Sequence, residues 1–121
     1  MTPSMTILYV DNPEKICEFY KSLLKKEPFE TFPTFALFVL DSGFQLGLLS
    51  KHTVEPQADF KGACCEIDFQ VESQDKVREI HQLWKQQGLP ILQEPVALDF
   101  GYTFVASDPD GHRLRVYFLY E

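Results

Sequence analysis

The chain has 121 residues, of which 45% are hydrophobic and 24% charged, the balance of a folded globular protein with one domain. Its formal net charge of −7 excludes a nucleic-acid-binding protein, because such proteins neutralise phosphates with a basic face. The apolar stretch FALFVL (35–40) is too short to cross a bilayer, and the first residues lack the pattern of a secretory signal. We therefore expect a cytoplasmic protein with no membrane partner.

The first half of the chain predicts a strand, a helix and two or three further strands. The strand MTILYV (5–10) leads into a helix whose start is marked by Asn12 as N-cap and Pro13 at the first helical position. Two stretches with the composition of strands follow, separated by the turn DSG: FPTFALFVL (32–40) and FQLGLLS (44–50).

The second half predicts the same elements in the same order. The strand CEIDFQV (65–71) precedes a helix that Ser73 caps and that Gly88 and Pro90 end. Two predicted strands follow on either side of the turn DPDG: LDFGYTFVAS (98–107) and HRLRVYFL (112–119).

Comparison of the two halves reveals an internal repeat. VDNPEKICEFYKSLL (10–24) aligns with VESQDKVREIHQLWK (71–85), and SGFQLGLL (42–49) aligns with DGHRLRVY (110–117). The chain is therefore predicted to be an α+β protein of two βαβββ modules, each with a helix on one face of its sheet. The predicted organisation is a single domain, 1–121, with modules at about 1–50 and 62–121 and a linker at 51–61.

Alternation along the strands predicts which side chains face away from the helices. In HRLRVYF, Leu114 and Val116 suit the helix side, which leaves Arg113, Arg115 and Tyr117 on the opposite face. The other strands add the following residues to that face: Met5, Ile7, Tyr9, Gln45, Gly47, Leu49, Glu66, Asp68 and Gln70. Because this set is polar and aromatic, it indicates a binding site more than a purely structural surface.

The cysteines and histidines predict no separate site. The three cysteines form no CxxC pair and are expected to be reduced thiols. His52, His81 and His112 lack metal-ligand spacing, so solvated or hydrogen-bonded roles are expected for the last two. His52 stays a candidate for contact with a ligand. The sequence DPDG lacks the downstream ligands of a calcium loop and is interpreted as a turn.

The motifs VDNPEKICEFY after the first strand and DPDGHRLRVY at the end resemble the vicinal oxygen chelate superfamily, which includes glyoxalases, dioxygenases and bleomycin-resistance proteins. The segments PTFALF, HTVEP and LDFGYTFVASDPDGHRLRV are similar to its small antibiotic-binding members, such as phenazine- and mitomycin-resistance proteins. The resemblance implies the glyoxalase/bleomycin-resistance fold, with cupped mixed sheets, helices on the convex face and usually a homodimer.

Metal-dependent members of that superfamily place four ligands on the concave faces, typically two histidines and two glutamates. Mapped by motif, these positions fall here on Met5, Gly47, Glu66 and Arg115. Glycine has no side chain and arginine has no lone pair to donate, so one carboxylate and one thioether remain. The resemblance therefore implies a protein without metal or other cofactor and favours a non-enzymatic role.

The leading hypothesis is a homodimer that sequesters a planar aromatic compound, such as a phenazine-like antibiotic, in a cup at the dimer interface. Arg115, paired with Glu66, can anchor a ligand carboxylate or stack under a planar ring. The candidate ligand-binding residues are Tyr9, Phe35, Gly47, His52, Glu66, Asp68, Phe100, Tyr102, Arg113, Arg115 and Tyr117. Gly47 is expected to open space for the ligand, and no catalytic residue is assigned.

Two alternatives stay open at the level of sequence. The first alternative is a metal-dependent enzyme of the same superfamily, a lyase or a thiol transferase. The second is an interaction module whose cup is vestigial. Arg115 and Glu66 can also form a purely structural ion pair. The sequence identifies neither the ligand nor whether the modules pair within one chain or swap between two.

Overall fold

The computed structural model describes residues 2–55, 57 and 65–121. Cys64 and part of the predicted linker 51–61 lie outside the described residues. The chain divides into two compact units, Met1–Lys61 and Gly62–Glu121. Each unit contains one βαβββ module, so the predicted α+β class and the repeated module are confirmed.

The first unit is a mixed four-stranded sheet with one helix. Strand order is β1-β4-β3-β2, in which β1 is parallel to β4 and the other pairs are antiparallel. The helix begins as predicted, because the Asn12 side chain accepts hydrogen bonds from the N–H groups of Glu14 (3.1 Å) and Lys15 (3.3 Å). The elements are β1 Thr6–Val10, α1 Pro13–Leu24, β2 Glu30–Phe32, β3 Phe35–Val39 and β4 Gln45–Ser50.

The second unit repeats this plan. Its strand order is β5-β8-β7-β6, again with one parallel pair, β5 and β8. The Ser73 hydroxyl accepts a hydrogen bond from the Lys76 N–H at 3.1 Å and starts the helix as predicted. The elements are β5 Glu66–Gln70, α2 Gln74–Gln86, β6 Ile91–Ala97, β7 Gly101–Ser107 and β8 Arg113–Leu119.

Strand registers match between the units. In the first parallel pair Ile7 lies opposite Gly47, and in the second Asp68 lies opposite Arg115. These are the positions that the sequence alignment equates. The repeat therefore extends from sequence to the pairing of individual residues.

Each unit buries the alternate strand residues that face its helix. In the second unit, Trp84 of α2 packs edge to face against Phe104, and Val77, Leu114 and Val116 are fully buried between the helix and the sheet. In the first unit the equivalent buried residues are Leu8, Val10, Ile16, Cys17, Tyr20, Ala36, Phe38, Leu46 and Leu48. The burial of one face leaves the opposite face of each sheet for other contacts.

Two strand assignments differ from the prediction. The stretch 32–40 is interrupted at Pro33 and Thr34, since β2 ends at Phe32 and β3 begins at Phe35. The strand β6 was not predicted from the sequence, and its segment ILQEPVA contains Pro95. Proline cannot donate a ladder hydrogen bond, and β6 accommodates it as an edge strand whose pairing with β7 has two register shifts.

The turn between β7 and β8 is held by a buried carboxylate. Asp108 is 2% exposed, and its Oδ1 accepts hydrogen bonds from the backbone N–H groups of Asp110 (2.9 Å) and His112 (2.8 Å). Its Oδ2 lies 2.8 Å from His112 Nδ1. The prediction of a turn at DPDG and of a hydrogen-bonded His112 is confirmed. Neither helix in the described part of the chain is long and apolar enough to span a membrane.

Candidate ligand pocket

The candidate site lies on the face of the second sheet that points away from α2. Leu114 and Val116 of β8 are fully buried toward the helix, so Arg115 and Tyr117 between them point to the other face. The register of the parallel pair places Asp68 of β5 directly opposite Arg115. Neighbouring strands thereby bring charged and aromatic side chains together.

These side chains surround a pocket of about 410 Å³. Five of the residues predicted from sequence line it, together with Leu119, which was not predicted. The lining residues are Glu66, Asp68, Phe100, Arg115, Tyr117 and Leu119. A volume of this size lies in the range of small-molecule sites, in which a few polar groups stand among apolar walls.

Arg115 is held by two hydrogen bonds on different sides of its guanidinium. Its Nε donates to Glu66 Oε2 at 3.1 Å, and its Nη1 donates to Thr103 Oγ1 at 3.1 Å. The Arg115 side chain is only 18% exposed. Because two neighbouring strands each supply an acceptor, the guanidinium is fixed before any ligand arrives.

Thr103 is a residue of this site that was not predicted from the sequence. It is fully buried on β7, where its hydroxyl donates to the Val116 carbonyl oxygen at 2.9 Å while accepting from Arg115. The hydroxyl proton is thus directed away from the guanidinium, and the oxygen lone pair toward it. The pairing of β7 with β8 across the predicted DPDG turn was the signal that could have identified Thr103.

Glu66 and Asp68 form a hydrogen-bonded carboxyl pair beside Arg115. Burial disfavours charge on Asp68, and the hydrogen bond to Glu66 and its negative charge add to this, so the pKa of Asp68 rises from 3.8 to about 6. Burial acts in the same direction on Glu66, but hydrogen bonds from Asp68 and Arg115 outweigh it and lower the pKa of Glu66. Asp68 therefore keeps its proton to a higher pH than an isolated aspartic acid does, while the pKa of Glu66 is lowered.

Two aromatic rings flank the guanidinium. Phe100 and Tyr117 meet edge to face, with ring centroids 6.3 Å apart, and Arg115 Cζ lies 5.9 Å from the Phe100 centroid. Phe100 is 42% exposed, which leaves part of its surface available for contact. A flat ligand placed against these rings gains stacking contacts and reaches the polar groups with its edge.

The structure separates Tyr102 and Arg113 from the pocket. Tyr102 was expected to form a pocket wall, but it lies opposite Phe118 on β8. The Cζ atom of Arg78, on α2, lies over the Tyr102 ring, 5.1 Å from its centroid. Tyr102 therefore faces the helix, because Thr103 takes the pocket side of β7. Arg113 shares the face of Arg115 but is exposed at the start of β8 and does not line the pocket.

Gly47 and Phe35 belong to the equivalent face of the first sheet. Gly47 was expected to leave space for a ligand, but an added Cβ would lie 2.5 Å from Ile7 Cδ1 and 3.0 Å from Phe35 Cε1. The space above this glycine is therefore filled by two apolar side chains. Phe35 acts here as a cover for the strand, and Tyr9 lies on β1, 38% exposed.

His52 lies on the surface of the first unit. Its Nε2 is 2.6 Å from Asp11 Oδ1, and both side chains are mostly exposed. The hydrogen bond from His52 lowers the pKa of Asp11. The position of His52 is thus explained by this pair at the end of β1. His81, in the second unit, is buried with its Nε2 2.7 Å from Glu94 Oε2.

The four positions of the superfamily's metal ligands do not fit a divalent ion in either unit. In the second unit, Arg115 occupies one position and already binds the Glu66 carboxylate that stands at the other. In the first unit, Gly47 offers no donor atom and is covered by Ile7 and Phe35, while Met5 offers only a thioether. Within residues 2–55, 57 and 65–121, no group of three or more His, Cys, Asp or Glu side chains is placed to hold a metal.

Comparison with known proteins agrees with this architecture. The chain is 33% identical to the phenazine antibiotic resistance protein EhpR of Enterobacter agglomerans over 119 residues, covering 96% of this chain and 91% of that protein. It is 51% identical to protein ATC0852 of Agrobacterium tumefaciens, whose solution NMR structure matches with a TM-score of 0.92 over 100% of this chain and 99% of that one.

A more distant structure shares the fold. The glyoxalase-related enzyme of Fulvimarina pelagi is 18% identical, with a TM-score of 0.82 over 98% of this chain and 88% of that one. The family model of the Glyoxalase/Bleomycin resistance protein/Dioxygenase superfamily matches residues 3–116. The resemblance and the fold expected from it are confirmed, and the chain belongs to this superfamily.

Proposed function

We propose that the protein is a metal-independent binding protein that sequesters a planar aromatic compound, an antibiotic of the phenazine type. The observation that carries this proposal is the fixed guanidinium of Arg115 in a pocket walled by Phe100 and Tyr117. A planar ring against such walls gains about 0.5–1.5 kcal/mol per aromatic contact beyond the effect of area. The name of the relative EhpR, a phenazine antibiotic resistance protein, supports this class of ligand.

The proposed mechanism is binding by mass action, without a chemical step. Protection of a cell then requires protein in amounts comparable to the compound, and the compound is recovered unchanged. We further propose that the protein works in the cytoplasm as a homodimer, with the ligand in a cup at the dimer interface. Neither nucleic acid nor a membrane takes part.

Replacement of Arg115 tests the proposal directly. We expect Arg115→Ala to weaken binding of phenazine-1-carboxamide about tenfold or more by isothermal titration calorimetry, since buried arginines are frequent sources of binding energy. Arg113→Ala is the matched control, because Arg113 lies on the same strand and face but outside the pocket. Equal affinity of the two variants would contradict the anchoring role.

A thermal-shift experiment separates this function from metal-dependent catalysis. A phenazine at a hundred times its Kd should add about 2.7 kcal/mol to the free energy of unfolding, which raises Tm by several degrees. We expect nickel, zinc and manganese to leave Tm unchanged, and EDTA likewise. A metal-induced rise in Tm that EDTA reverses would count against the proposal and favour an enzyme.

The homodimer is tested by sedimentation velocity at micromolar concentration. A species of twice the chain mass is expected with and without ligand. A monomer that binds the phenazine with full affinity would remove the dimer interface from the proposed site.

A further inference from the structure

The pocket contains one positive charge and two carboxyl groups. Arg115 is its cation, and Glu66 already binds that cation at 3.1 Å. Asp68 adds a second carboxyl group, directly opposite Arg115 in the strand register. Arg113 is exposed and does not line the pocket, but it lies opposite Glu66 in the strand register and its charge helps to lower the pKa of Glu66. The ligand therefore meets a site in which Glu66 and Asp68 balance the positive charge of the arginines.

The pocket offers a ligand both a hydrogen-bond donor and a hydrogen-bond acceptor. Arg115 uses Nε and Nη1, while its Nη2 makes no hydrogen bond to any residue that the structure describes. This group can donate to an acceptor on the ligand. Asp68 has two oxygens, and whether ionised or bonded through its proton to Glu66, it presents at least one acceptor. Donor and acceptor stand side by side across two paired strands.

We propose that the ligand presents a neutral polar edge with an acceptor and a donor side by side, as in a primary carboxamide, rather than a carboxylate. This inference rests on the proposed function and specifies its ligand class. The amide oxygen accepts from Arg115 Nη2, and the amide N–H donates to Asp68. A ligand carboxylate can accept a hydrogen bond from Arg115, but its second oxygen then faces an Asp68 oxygen, and both atoms are hydrogen-bond acceptors. Sites built around a donor–acceptor pair discriminate strongly against ligands that mismatch one member.

This ligand class differs from the acidic ligand considered from sequence. The difference arises because Glu66 lies close enough to neutralise Arg115, and because Asp68 faces the same space. A third negative charge within several ångströms of two carboxyl groups is unfavourable even at the effective dielectric of a protein surface.

The test compares phenazine-2-carboxamide with phenazine-2-carboxylate by isothermal titration calorimetry at pH 7.5. The two compounds share the ring and differ only in the polar edge. We expect the carboxamide to bind at least about tenfold more tightly, a difference of about 1.4 kcal/mol. A carboxylate that binds as tightly as the amide, or more tightly, overturns the inference.

The variant Asp68→Asn tests whether the charge of Asp68 causes the preference for the carboxamide over the carboxylate. Asparagine keeps an acceptor oxygen and removes the charge, so the amide should bind within about twofold of wild type while the carboxylate binds about tenfold more tightly. Asp68→Leu removes the acceptor and should weaken the amide by about tenfold. An amide affinity unchanged in Asp68→Leu overturns the proposed contact.

The two proposals fail in different ways. If neither phenazine binds to the wild-type protein, the proposed function is wrong and the ligand class falls with it. If both bind and Arg115→Ala weakens both, but the carboxylate is preferred, the function stands and only the neutral edge is wrong.

Discussion

At the scale of single residues, the site depends on a hydroxyl that touches no solvent. Thr103 is fully buried, yet it orients Arg115 by accepting from Nη1 while donating to the Val116 carbonyl oxygen. Without that acceptor the guanidinium keeps its bond to Glu66 but loses the contact that fixes its plane. Thr103 is therefore a positioning residue that acts through Arg115.

Substitution of Thr103 separates positioning from packing. Thr103→Val keeps the side-chain shape and removes the hydroxyl, so we expect a loss of about 1 kcal/mol in stability and a several-fold weaker phenazine affinity. Thr103→Ser keeps the hydroxyl and should retain the affinity despite a small loss of packing. Calorimetric titrations of both variants measure this, and equal affinities would show that the hydroxyl does not position Arg115.

The carboxyl pair makes stability depend on pH in a defined direction. Because the pKa of Asp68 is raised from 3.8 to about 6 in the folded protein, its stabilising contribution is complete below pH 3.8 and is lost as pH rises through 6. Asp68→Asn removes this loss. Relative to wild type, the free energy of unfolding of the variant should rise by about 1 kcal/mol between pH 4 and pH 7, a discounted value because Asp68 is only partly withdrawn from solvent.

Urea denaturation of wild type and Asp68→Asn across this pH range provides the measurement. Asp41→Asn is a useful control, since the ion pair with Lys26 lowers the pKa of Asp41 below 3.8, so its difference from wild type in free energy of unfolding should stay nearly constant from pH 4 to pH 7. If the difference in free energy of unfolding between wild type and Asp68→Asn stays constant from pH 4 to pH 7, the raised pKa of Asp68 is contradicted.

At the scale of elements, the sequence predicts the modules and most of the pocket, because alternation along β8 and β5 is regular. It places Arg115, Tyr117, Glu66 and Asp68 on one face, as the structure does. Alternation does not predict the facing residues correctly where pairing with a neighbouring strand decides which face each side chain takes. Tyr102 was assigned to the pocket without knowing that Thr103 faces Arg115.

Other features were beyond the reach of sequence patterns. The edge strand β6 is obscured by Pro95, which ordinarily argues against a strand. The filled space above Gly47 depends on the rotamers of Ile7 and Phe35, which a residue pattern does not specify. Each of these results from tertiary packing rather than from local preference.

Gly101 controls how closely the ends of β7 and β8 approach. A Cβ at this position would lie 1.9 Å from the Phe118 carbonyl oxygen, a backbone atom that has little freedom to move. We expect Gly101→Ala to cost about 3 kcal/mol of stability and to disturb Phe100 beside it. Gly47→Ala meets the flexible ends of two side chains and should cost clearly less. Denaturant midpoints of the two variants test this order.

At the scale of the whole molecule, the repeat is symmetric in backbone and asymmetric in chemistry. The position of Arg115 in the second unit corresponds to Gly47 in the first, where Ile7 and Phe35 fill the space. Only the second of these two equivalent positions carries a charged anchor. The equivalent faces of the two units are therefore polar and charged around Arg115 in one and apolar around Gly47 in the other.

This asymmetry predicts the stoichiometry of binding. We expect one phenazine per chain in a calorimetric titration, rather than the two that a symmetric repeat would bind. Arg115→Ala should weaken that single binding event and leave no second site of higher affinity. Two equivalent sites per chain would show that the first unit binds ligand by contacts other than a charged anchor.

The hairpin turn held by Asp108 has a consequence for how such a protein adapts. The hydrogen bonds of Asp108 to Asp110 and His112 set the register of β7 and β8 at the turn, apart from the side chains that line the pocket. Exchanges at 115 and 117 can therefore change the lining of the pocket without shifting the buried neighbours Leu114 and Val116. A focused library at these two positions therefore varies the lining of the pocket on a scaffold whose strands stay in register.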